Sequence, residues 1–298
     1  MLIKEVARLR VSKQGVMTIA PGSMSVGQGL ETSFPDIVAG ELNISADRIK
    51  YIQGDTDYLP SGRGSGGSAA TITGGSAVIN AAEILIQTGN QIAADVLKCD
   101  ISDIQYNNGN FYQMNDPDTA LDWSEIAQYS NQPDGLDIMG EFTPSAPTYP
   151  NGCHICEVEI DTSTGKCFVQ DYVAVEDVGT ALYPVLIEGQ ILGGIVQGIS
   201  QALGESLVYD ETGQLSTGSF MDYQMPIASD FPKFRIKTHP VKTKINPLGA
   251  KGVGESGTVG ALAATLSAIQ HALVSVGAGA IEMPATPHRI WQTLKQNA

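Results

Sequence analysis

The chain has 298 residues, of which only 16% are charged, and acidic residues outnumber basic ones by 32 to 17 for a formal net charge of −15. A hydrophobic content of 42% argues against disorder, and the negative balance argues against a nucleic-acid partner. No apolar run approaches the roughly 18 residues of a membrane span, so we expect no membrane partner and a cytoplasmic location. Because charge is scarcer than the ~25% of an average soluble chain, we predict a subunit that packs against partners.

The first half of the chain combines alternating strand patterns with amphipathic helices. In chain order it predicts a hairpin over 5–20, a helix over 32–42, a strand over 49–53, a Gly/Ser loop over 61–68, a helix over 76–97, a hairpin around 107–109, a short helix near Trp123 and a strand near Ile138. The Pro-rich stretch 144–150 is the predicted linker.

The second half repeats this mixture. It predicts a hairpin over 153–176, a helix from Pro184 to about Glu205, a hairpin around Gly213, a strand over 234–237, a Gly-rich loop over 248–257, an Ala-rich helix over 258–276 and a last helix over 287–295. Hairpins and helices alternate without a regular βαβ repeat, which favours an α+β fold. We predict two mixed hairpin-and-helix subdomains, 1–145 and 146–298.

The four cysteines are too few and too scattered for a disulfide framework. Cys153 and Cys156 have the C-x-x-C spacing of redox and zinc sites, but they lie in a predicted strand. Residues three apart on a strand face opposite sides, so we interpret them as small buried thiols, with a metal or redox role as the alternative.

Three glycine-rich loops, 26–29, 62–71 and 249–257, each lead into a predicted helix. The last two contain G-x-G-x-x-G, but neither directly follows a strand, which a Rossmann dinucleotide site requires. Glycines still let backbone N–H groups converge on an anion at a helix start. Three such loops favour a phosphate-bearing ligand over the alternative of tight turns alone.

The predicted helix over 186–205 has an apolar arc and an opposite stripe of Gln190, Gly194, Gln197 and Gln201. A stripe without charge is unusual for a solvated face. It fits either a neutral hydrogen-bonding ligand or close packing against another backbone, and the sequence leaves both open.

Glu255 is the only acidic residue between Asp230 and Glu282, and it precedes an uncharged helix. A carboxylate at a helix start is often a cap, but Ser256 and Thr258 are better capping residues. We therefore predict that Glu255 is available as a general base.

Seven segments occur in the order of a known family. They are VGQGLET (26–32), GGSAATITGGSAV (66–78), YPNGCHICEVEID (149–161), VEDVGTALYP (175–184), EGQILGGIVQGISQALGE (188–205), TGSFMDYQMP (217–226) and NPLGAKGVGESGTVGA (246–261). Together they resemble the carboxy-terminal molybdopterin-binding part of the xanthine dehydrogenase/aldehyde oxidase/aerobic carbon monoxide dehydrogenase family, over nearly the whole chain.

The resemblance implies a molybdenum hydroxylase, in which water supplies the oxygen and a molybdenum–molybdopterin cofactor carries the chemistry. The cytosine dinucleotide form of that cofactor is a possibility that the sequence leaves open. Electrons would leave through iron–sulfur clusters to FAD on partner chains.

The resemblance also assigns roles to residues. The family's base is the Glu of its K-G-x-G-E motif, here Glu255, which would act on the hydroxide of the molybdenum centre. The expected cofactor-binding residues are Gly27, Gln28, Gly29, Gly67, Ser68, Thr71, Gln197, Lys251, Gly252, Val253 and Gly254. No side chain of this chain is predicted to ligate metal.

Two departures from the family qualify this reading. Tyr183 stands where many members have Asn, and the family's other molybdenum-binding half is absent from the sequence. We therefore expect a partner chain with that half, as well as iron–sulfur and flavin subunits and a small-molecule substrate. An N-heteroaromatic, purine or aldehyde substrate stays open, whereas carbon monoxide needs a cysteine loop not found here. The alternatives are a non-catalytic structural subunit or degenerate fragment, and a free nucleotide-binding module.

Overall fold

The computed structural model describes residues 4–296. Their helices and strands, in chain order, are β1 Glu5–Ser12, β2 Met17–Pro21, α1 Leu30–Leu42, β3 Ile49–Tyr51, α2 Gly75–Leu97, β4 Ile104–Asn107, β5 Asn110–Gln113, β6 Asp116–Asp122, α3 Trp123–Gln128, β7 Gly135–Phe142, β8 Asn151–Ile160, β9 Cys167–Asp177, α4 Pro184–Leu203, β10 Arg235–Thr238, α5 Ser256–Ser275 and α6 Pro287–Lys295. The predicted mixture of helices and sheets is confirmed.

The chain divides into two compact units. Unit 1 comprises the chain through Thr148 together with Lys242–Gly252, and unit 2 comprises Tyr149–Val241 together with the chain from Val253 onward. The sequence prediction assigned Lys242–Gly252 to the second subdomain, whereas this segment returns to unit 1. There the Leu248 side chain fills the space beside Gly75 at the start of α2. Local sequence composition does not indicate that a late segment of the chain packs against an earlier unit.

Unit 1 contains a four-stranded sheet in the order β3-β2-β1-β7. β1 pairs antiparallel with β2 and with β7, and β3 pairs parallel with β2 after the crossover helix α1. Alternation along β1 buries Leu9 and Val11 and leaves Arg8 and Arg10 on the other face. The long helix α2 packs against β1 and β7, and a small sheet, β4-β5-β6, completes the unit.

Unit 2 contains a three-stranded sheet in the order β10-β9-β8. β8 pairs antiparallel with β9, and β10 pairs parallel with β9 after the crossover helix α4. Helices α4 and α5 pack together, and α5 also contacts β8. The core centres on Tyr172, Ile191, Ile195 and Ile199.

The two units share one topology, which the sequence did not predict. Each has a hairpin, a crossover helix and a parallel third strand, and each later adds a helix that follows a glycine-rich loop. They differ at one edge of the sheet. In unit 1 the far edge of β1 is paired with β7, whereas within residues 4–296 no strand pairs with the far edge of β8.

Helix α5 corrects the expectation that no apolar segment approaches the length of a membrane span. By length and composition alone it is apolar enough to cross a membrane. Within unit 2 every fourth residue of α5 is buried, from Gly257 through Ala261 and Ile269 to Leu273. Burial at this spacing is the pattern of a helix packed along one face against a core.

The structure also differs from the sequence prediction at one strand and one hairpin. β6 was not predicted, and the hairpin around Gly213 consists only of an isolated bridge between Tyr209 and Leu215. All four cysteines are free. Cys153 is exposed, so the prediction of a buried thiol is wrong for this residue, whereas burial raises the pKa of the Cys156 thiol to about 11.

Candidate functional site

The loop over Gly27–Gly29 is organised by the amide of Gln28. Its Oε1 accepts from the Val26 amide at 2.5 Å, and its Nε2 donates to the Met24 carbonyl at 3.1 Å and to Ser65 Oγ at 2.7 Å. Both N–H groups are therefore used inside the protein. What Gln28 retains is acceptor capacity at Oε1, so it suits an N–H donor on a ligand.

The second glycine-rich loop, 62–71, is tied to the first by backbone hydrogen bonds. The Gly64 amide donates to the Gly22 carbonyl at 3.0 Å, and the Met24 amide donates to the Gly64 carbonyl at 3.1 Å. Gly67 and Ser68 follow with consecutive left-handed φ values of 59° and 52°. A π-turn over Ala70–Gly74, which begins beside Thr71, then leads into α2. Ser65 was not predicted as a site residue, and only its place in a Gly/Ser run could have suggested it.

The backbone of these two loops is open at three glycines. A Cβ atom added at Gly27, Gly64 or Gly66 would meet no described atom within 4 Å. The first helical turns of α1 and α2 lie behind the loops, so their positive dipole ends favour an anion there. This open backbone fits a ligand that carries phosphate and ring heteroatoms, as a pterin cofactor does.

The first residues of the third glycine-rich loop, up to Gly252, belong to unit 1. Gly252 packs so closely on Ser68 that an added Cβ would lie 2.4 Å from the Ser68 carbonyl oxygen. The half-buried Lys251 precedes it. The structure therefore brings together Lys251 and Gly252 with Gly67 and Ser68, all of which were predicted as cofactor-binding residues.

In unit 2, glycines bring helices α4 and α5 into backbone contact. An added Cβ at Gly257 would lie 2.4 Å from the Ile191 carbonyl oxygen, and one at Gly198 would lie 2.6 Å from the Thr258 carbonyl oxygen. Gln197 is exposed beside this contact and accepts a hydrogen bond from Thr258 Oγ1 at 3.2 Å. The packing alternative holds for the glycine of the stripe on α4, whereas Gln197 and Gln201 are exposed and a ligand for them stays a prediction.

Glu255 occupies the N-cap position of α5 and is exposed in this chain, after Val253 and Gly254. Its side chain makes no capping hydrogen bond. The prediction that Ser256 or Thr258 would cap the helix is wrong: Ser256 Oγ donates to the Val253 carbonyl, and Thr258 Oγ1 donates to Gln197. The carboxylate stands at the N-terminal end of α5.

Ionisable side chains also take part in hydrogen bonds next to the Gly27–Gly29 loop. Ser25 Oγ donates to the Glu31 carboxylate and lowers the pKa of Glu31. Burial, followed by the nearby Glu31 charge, raises the pKa of Tyr51 to about 12, so the Tyr51 hydroxyl stays protonated and donates to Gln53. Among the described residues no group of three His, Cys, Asp or Glu side chains could hold a metal ion.

A family model described as the molybdopterin cofactor-binding domain matches residues 2–232. The chain belongs to this family, which confirms the resemblance to the molybdopterin-binding part of the xanthine dehydrogenase group. Among curated relatives, the carbon monoxide dehydrogenase large chain of Afipia carboxidovorans is 34% identical over 97% of this chain and 37% of its own length. The nicotine 6-hydroxylase large subunit of Paenarthrobacter nicotinovorans is 34% identical over 98% and 37%.

Solved structures agree with the fold. A Cu,Mo-CO dehydrogenase superposes with a TM-score of 0.87 at 34% identity, covering 98% of this chain and 38% of that one. Quinoline 2-oxidoreductase from Pseudomonas putida 86 has a TM-score of 0.86 at 32% identity, covering 99% and 38%. This chain therefore spans little more than a third of the length of these relatives.

Proposed function

We propose that this chain is one part of a molybdenum hydroxylase that hydroxylates an electron-poor carbon of an N-heteroaromatic or aldehyde substrate with water. The observation that carries the proposal is the placement of Glu255. It is an exposed carboxylate at the start of α5, it does not cap its own helix, and it follows a glycine-rich loop in a molybdopterin cofactor-binding fold.

The cofactor would be held in unit 1 by the open loops. Amides around Gly27, Gly29, Gly67 and Ser68 would donate to its phosphate and ring heteroatoms, and Gln28 Oε1 would accept from a ring N–H. Lys251 lies in the same unit, directly before the Gly252 that packs on Ser68, and would supply a positive charge there. A longer, dinucleotide form of the cofactor would use the same cradle for its additional phosphate.

The overall reaction is R–H + H₂O → R–OH + 2 H⁺ + 2 e⁻. When bound, a molybdenum–pterin group supplies the oxygen-transfer and two-electron chemistry of such a reaction. Glu255 would accept one of the two protons at a carboxylate oxygen, and Gln197 would offer its amide for hydrogen bonding from the neighbouring helix α4. General bases of this kind contribute roughly 10²–10⁴-fold to rate.

The chain spans little more than a third of the length of its relatives. We propose that a second polypeptide with the remaining molybdenum-binding half completes the site, and that iron–sulfur and flavin subunits remove the electrons. Relatives named for nicotine and for quinoline support a heteroaromatic substrate, although the carbon monoxide dehydrogenase chain is equally similar at 34% identity.

The test is to co-express this chain with the products of its neighbouring reading frames and to measure molybdenum, pterin and turnover of quinoline, nicotine and benzaldehyde. We expect the Glu255→Gln variant to keep its molybdenum and to lose roughly 10³-fold in turnover per molybdenum. Glu211→Gln, at an exposed glutamate in the turn that follows Asp210, is the matched control and should be unchanged. Parental turnover in Glu255→Gln, or a complex without molybdenum, would favour the non-catalytic alternative instead.

A further inference from the structure

A line of three polar side chains is buried on the inner face of the β8–β9 hairpin. His154 Nε2 lies 2.6 Å from Glu176 Oε1, and His154 Nδ1 lies 2.7 Å from the Tyr172 hydroxyl. The side chains of His154 and Glu176 are only 5% and 3% exposed, and Tyr172 is fully buried. Burying ionisable groups costs free energy that apolar residues of similar size would not, so such a pair calls for a role beyond stability.

The roles of donor and acceptor in this line follow from Tyr172. Burial, with further contributions from Cys156 and Glu176, raises the pKa of Tyr172, so its hydroxyl stays protonated. In neutral His154 the hydroxyl therefore donates to Nδ1, and Nε2–H donates to the Glu176 carboxylate. Both ring nitrogens are engaged, which holds the imidazole in one orientation.

Two glycines make room for this fixed ring. An added Cβ at Gly152 would lie 2.6 Å from Glu176 Oε2, and one at Gly260 would lie 2.7 Å from the imidazole atoms Cε1 and Nε2. Gly260 belongs to the second turn of α5. The ring of His154 is thus the surface on which the beginning of α5 rests.

The opposite side of the same helix start is held by α4. Gly257 contacts the Ile191 carbonyl, and Gly194 of α4 packs on the Gly257–Thr258 backbone. Glu255 directly precedes these turns. The helix start that follows Glu255 therefore makes contact with the α4 backbone on one side and with the imidazole of His154 on the other.

The backbone that carries the Glu176 carboxylate is anchored at the end of β9. The Glu176 carbonyl accepts from the His239 amide at 2.8 Å, and Asp177 Oδ1 accepts from the amides of Gly179 and Val241, both at 2.9 Å. Glu176 therefore provides a fixed reference point rather than a mobile surface charge.

We propose that the His154–Glu176 pair is a positioning device for the first turns of α5 and, through them, for the carboxylate of Glu255. The inference rests on the proposed function for the identity of the base. It adds that the hydrogen bonds of a buried pair, and not only the volume of the ring, set where that base stands. A displacement of about 1 Å at a catalytic group can cost up to 10²-fold in rate.

The experiment compares two variants of the co-expressed complex. The double variant His154→Phe/Glu176→Leu keeps an aromatic ring and replaces both polar side chains with apolar groups, a change that buried pairs often tolerate in stability. Glu176→Gln keeps an oxygen that can accept from Nε2–H. We expect the double variant to lose at least about tenfold in kcat per molybdenum with KM unchanged, and Glu176→Gln to stay within about threefold of the parent.

A readout that does not use activity is amide hydrogen exchange of residues 256–262 in the chain by itself. We expect faster exchange there in the double variant and parental exchange in Glu157→Gln, a control on the outer face of the same strand. If the double variant does not fold, His154→Gln replaces it in both measurements.

Parental kcat together with parental exchange in α5 would overturn the proposal. In a Glu255→Gln background the double substitution should cause no further loss of rate, because its effect acts through Glu255. Parental turnover in Glu255→Gln would refute the base itself and leave the exchange result on α5 to decide whether the pair positions the helix.

Discussion

The two units have the same strand–helix topology but use glycine in opposite ways. In unit 1 the important glycines lie in loops, Gly27 and Gly64 at positive φ, with open space where a side chain would be. In unit 2 they lie inside helices, where Gly194, Gly198 and Gly257 let two backbones touch. One arrangement leaves open space beside the backbone of a loop, and the other fixes a rigid element that carries a carboxylate.

The difference shows that glycine content alone does not define a binding loop. The third glycine-rich loop contains both uses within a few residues, since Gly252 packs on Ser68 and Gly257 packs on α4. Only the surroundings of each Cα atom decide which physical role a glycine has. Substitution by alanine separates the two roles because it adds one carbon atom at a known place.

The largest effect is expected at the helix contact of unit 2. Gly198→Ala would place a methyl group 2.6 Å from the Thr258 carbonyl oxygen, so α4 and α5 must separate. Overpacking of this kind costs about 1–3 kcal/mol in the free energy of unfolding, even after the helix-favouring effect of alanine. Urea denaturation of the chain should show a lower midpoint, and an unchanged midpoint would mean that the helices do not pack this closely.

A second prediction concerns the sheet edge that unit 1 closes and unit 2 leaves open. Across β1 and β7, Arg8 Nε donates to Asp137 Oδ1 at 2.7 Å, and a second guanidinium nitrogen donates to Oδ2. These hydrogen bonds lower the pKa of Asp137, despite opposition from burial. We expect Asp137→Asn to lose about 1–2 kcal/mol of unfolding free energy at pH 7.

The pH dependence follows from the lowered pKa of Asp137. Its stabilising contribution is complete above the ordinary carboxylate pKa of about 4 and disappears as the pH falls through the lower value of the folded state. Urea denaturation of both proteins between pH 7 and pH 2.5 should therefore converge at the acidic end. Asp134→Asn, whose carboxylate is 83% exposed and 3.7 Å from Arg10, is the control and should change little.

A smaller stability effect is expected at the open loops. Gly64→Ala meets no neighbouring atom, so its cost is that of holding alanine at a φ of 73°, about 1 kcal/mol. Its effect on the proposed cofactor should be larger, because the methyl group would occupy space that the ligand needs. Pterin and molybdenum content of the purified complex measures this, and full content would show that the ligand does not approach Gly64.

The smallest change should be a gain. Gly193 is adjacent to Gly194 on α4, but an added Cβ there would meet no described atom within 4 Å. Gly193→Ala should therefore raise the unfolding free energy by about 0.5–1 kcal/mol through helix propensity alone. The opposite signs expected for Gly193→Ala and Gly198→Ala make this pair a direct test of where α5 lies.

Local periodicity predicted most elements of the fold. The apolar face of α2, with Val78, Ala81 and Leu85 fully buried, and the hairpin β8–β9 were both readable from spacing. The parallel pairing of β2 with β3 and of β9 with β10 was not, because a crossover is a tertiary event that leaves no periodic trace in either strand.

The sequence predicted the candidate site to about the same extent as it predicted the fold. Motif positions indicated Gln28, Ser68 and Glu255, and whether these residues bind a cofactor or act on a substrate stays a prediction. The sequence missed the internal hydrogen bonds of Gln28 and the burial of His154 with Glu176, because both depend on residues distant in the chain. Side-chain partners across strands and loops are set by register, which a single sequence does not specify.

The return of Lys242–Gly252 to unit 1 has a consequence for how the protein is made. Unit 1 cannot complete its native structure until the whole of Tyr149–Val241 has been synthesised, because Leu248 is needed beside α2. Closing so long a loop carries an entropic cost that delays the final step of folding. On the ribosome the open glycine loops would therefore remain incomplete until late, and a polypeptide cut short before Lys242 would lack the segment that closes the proposed cofactor cradle.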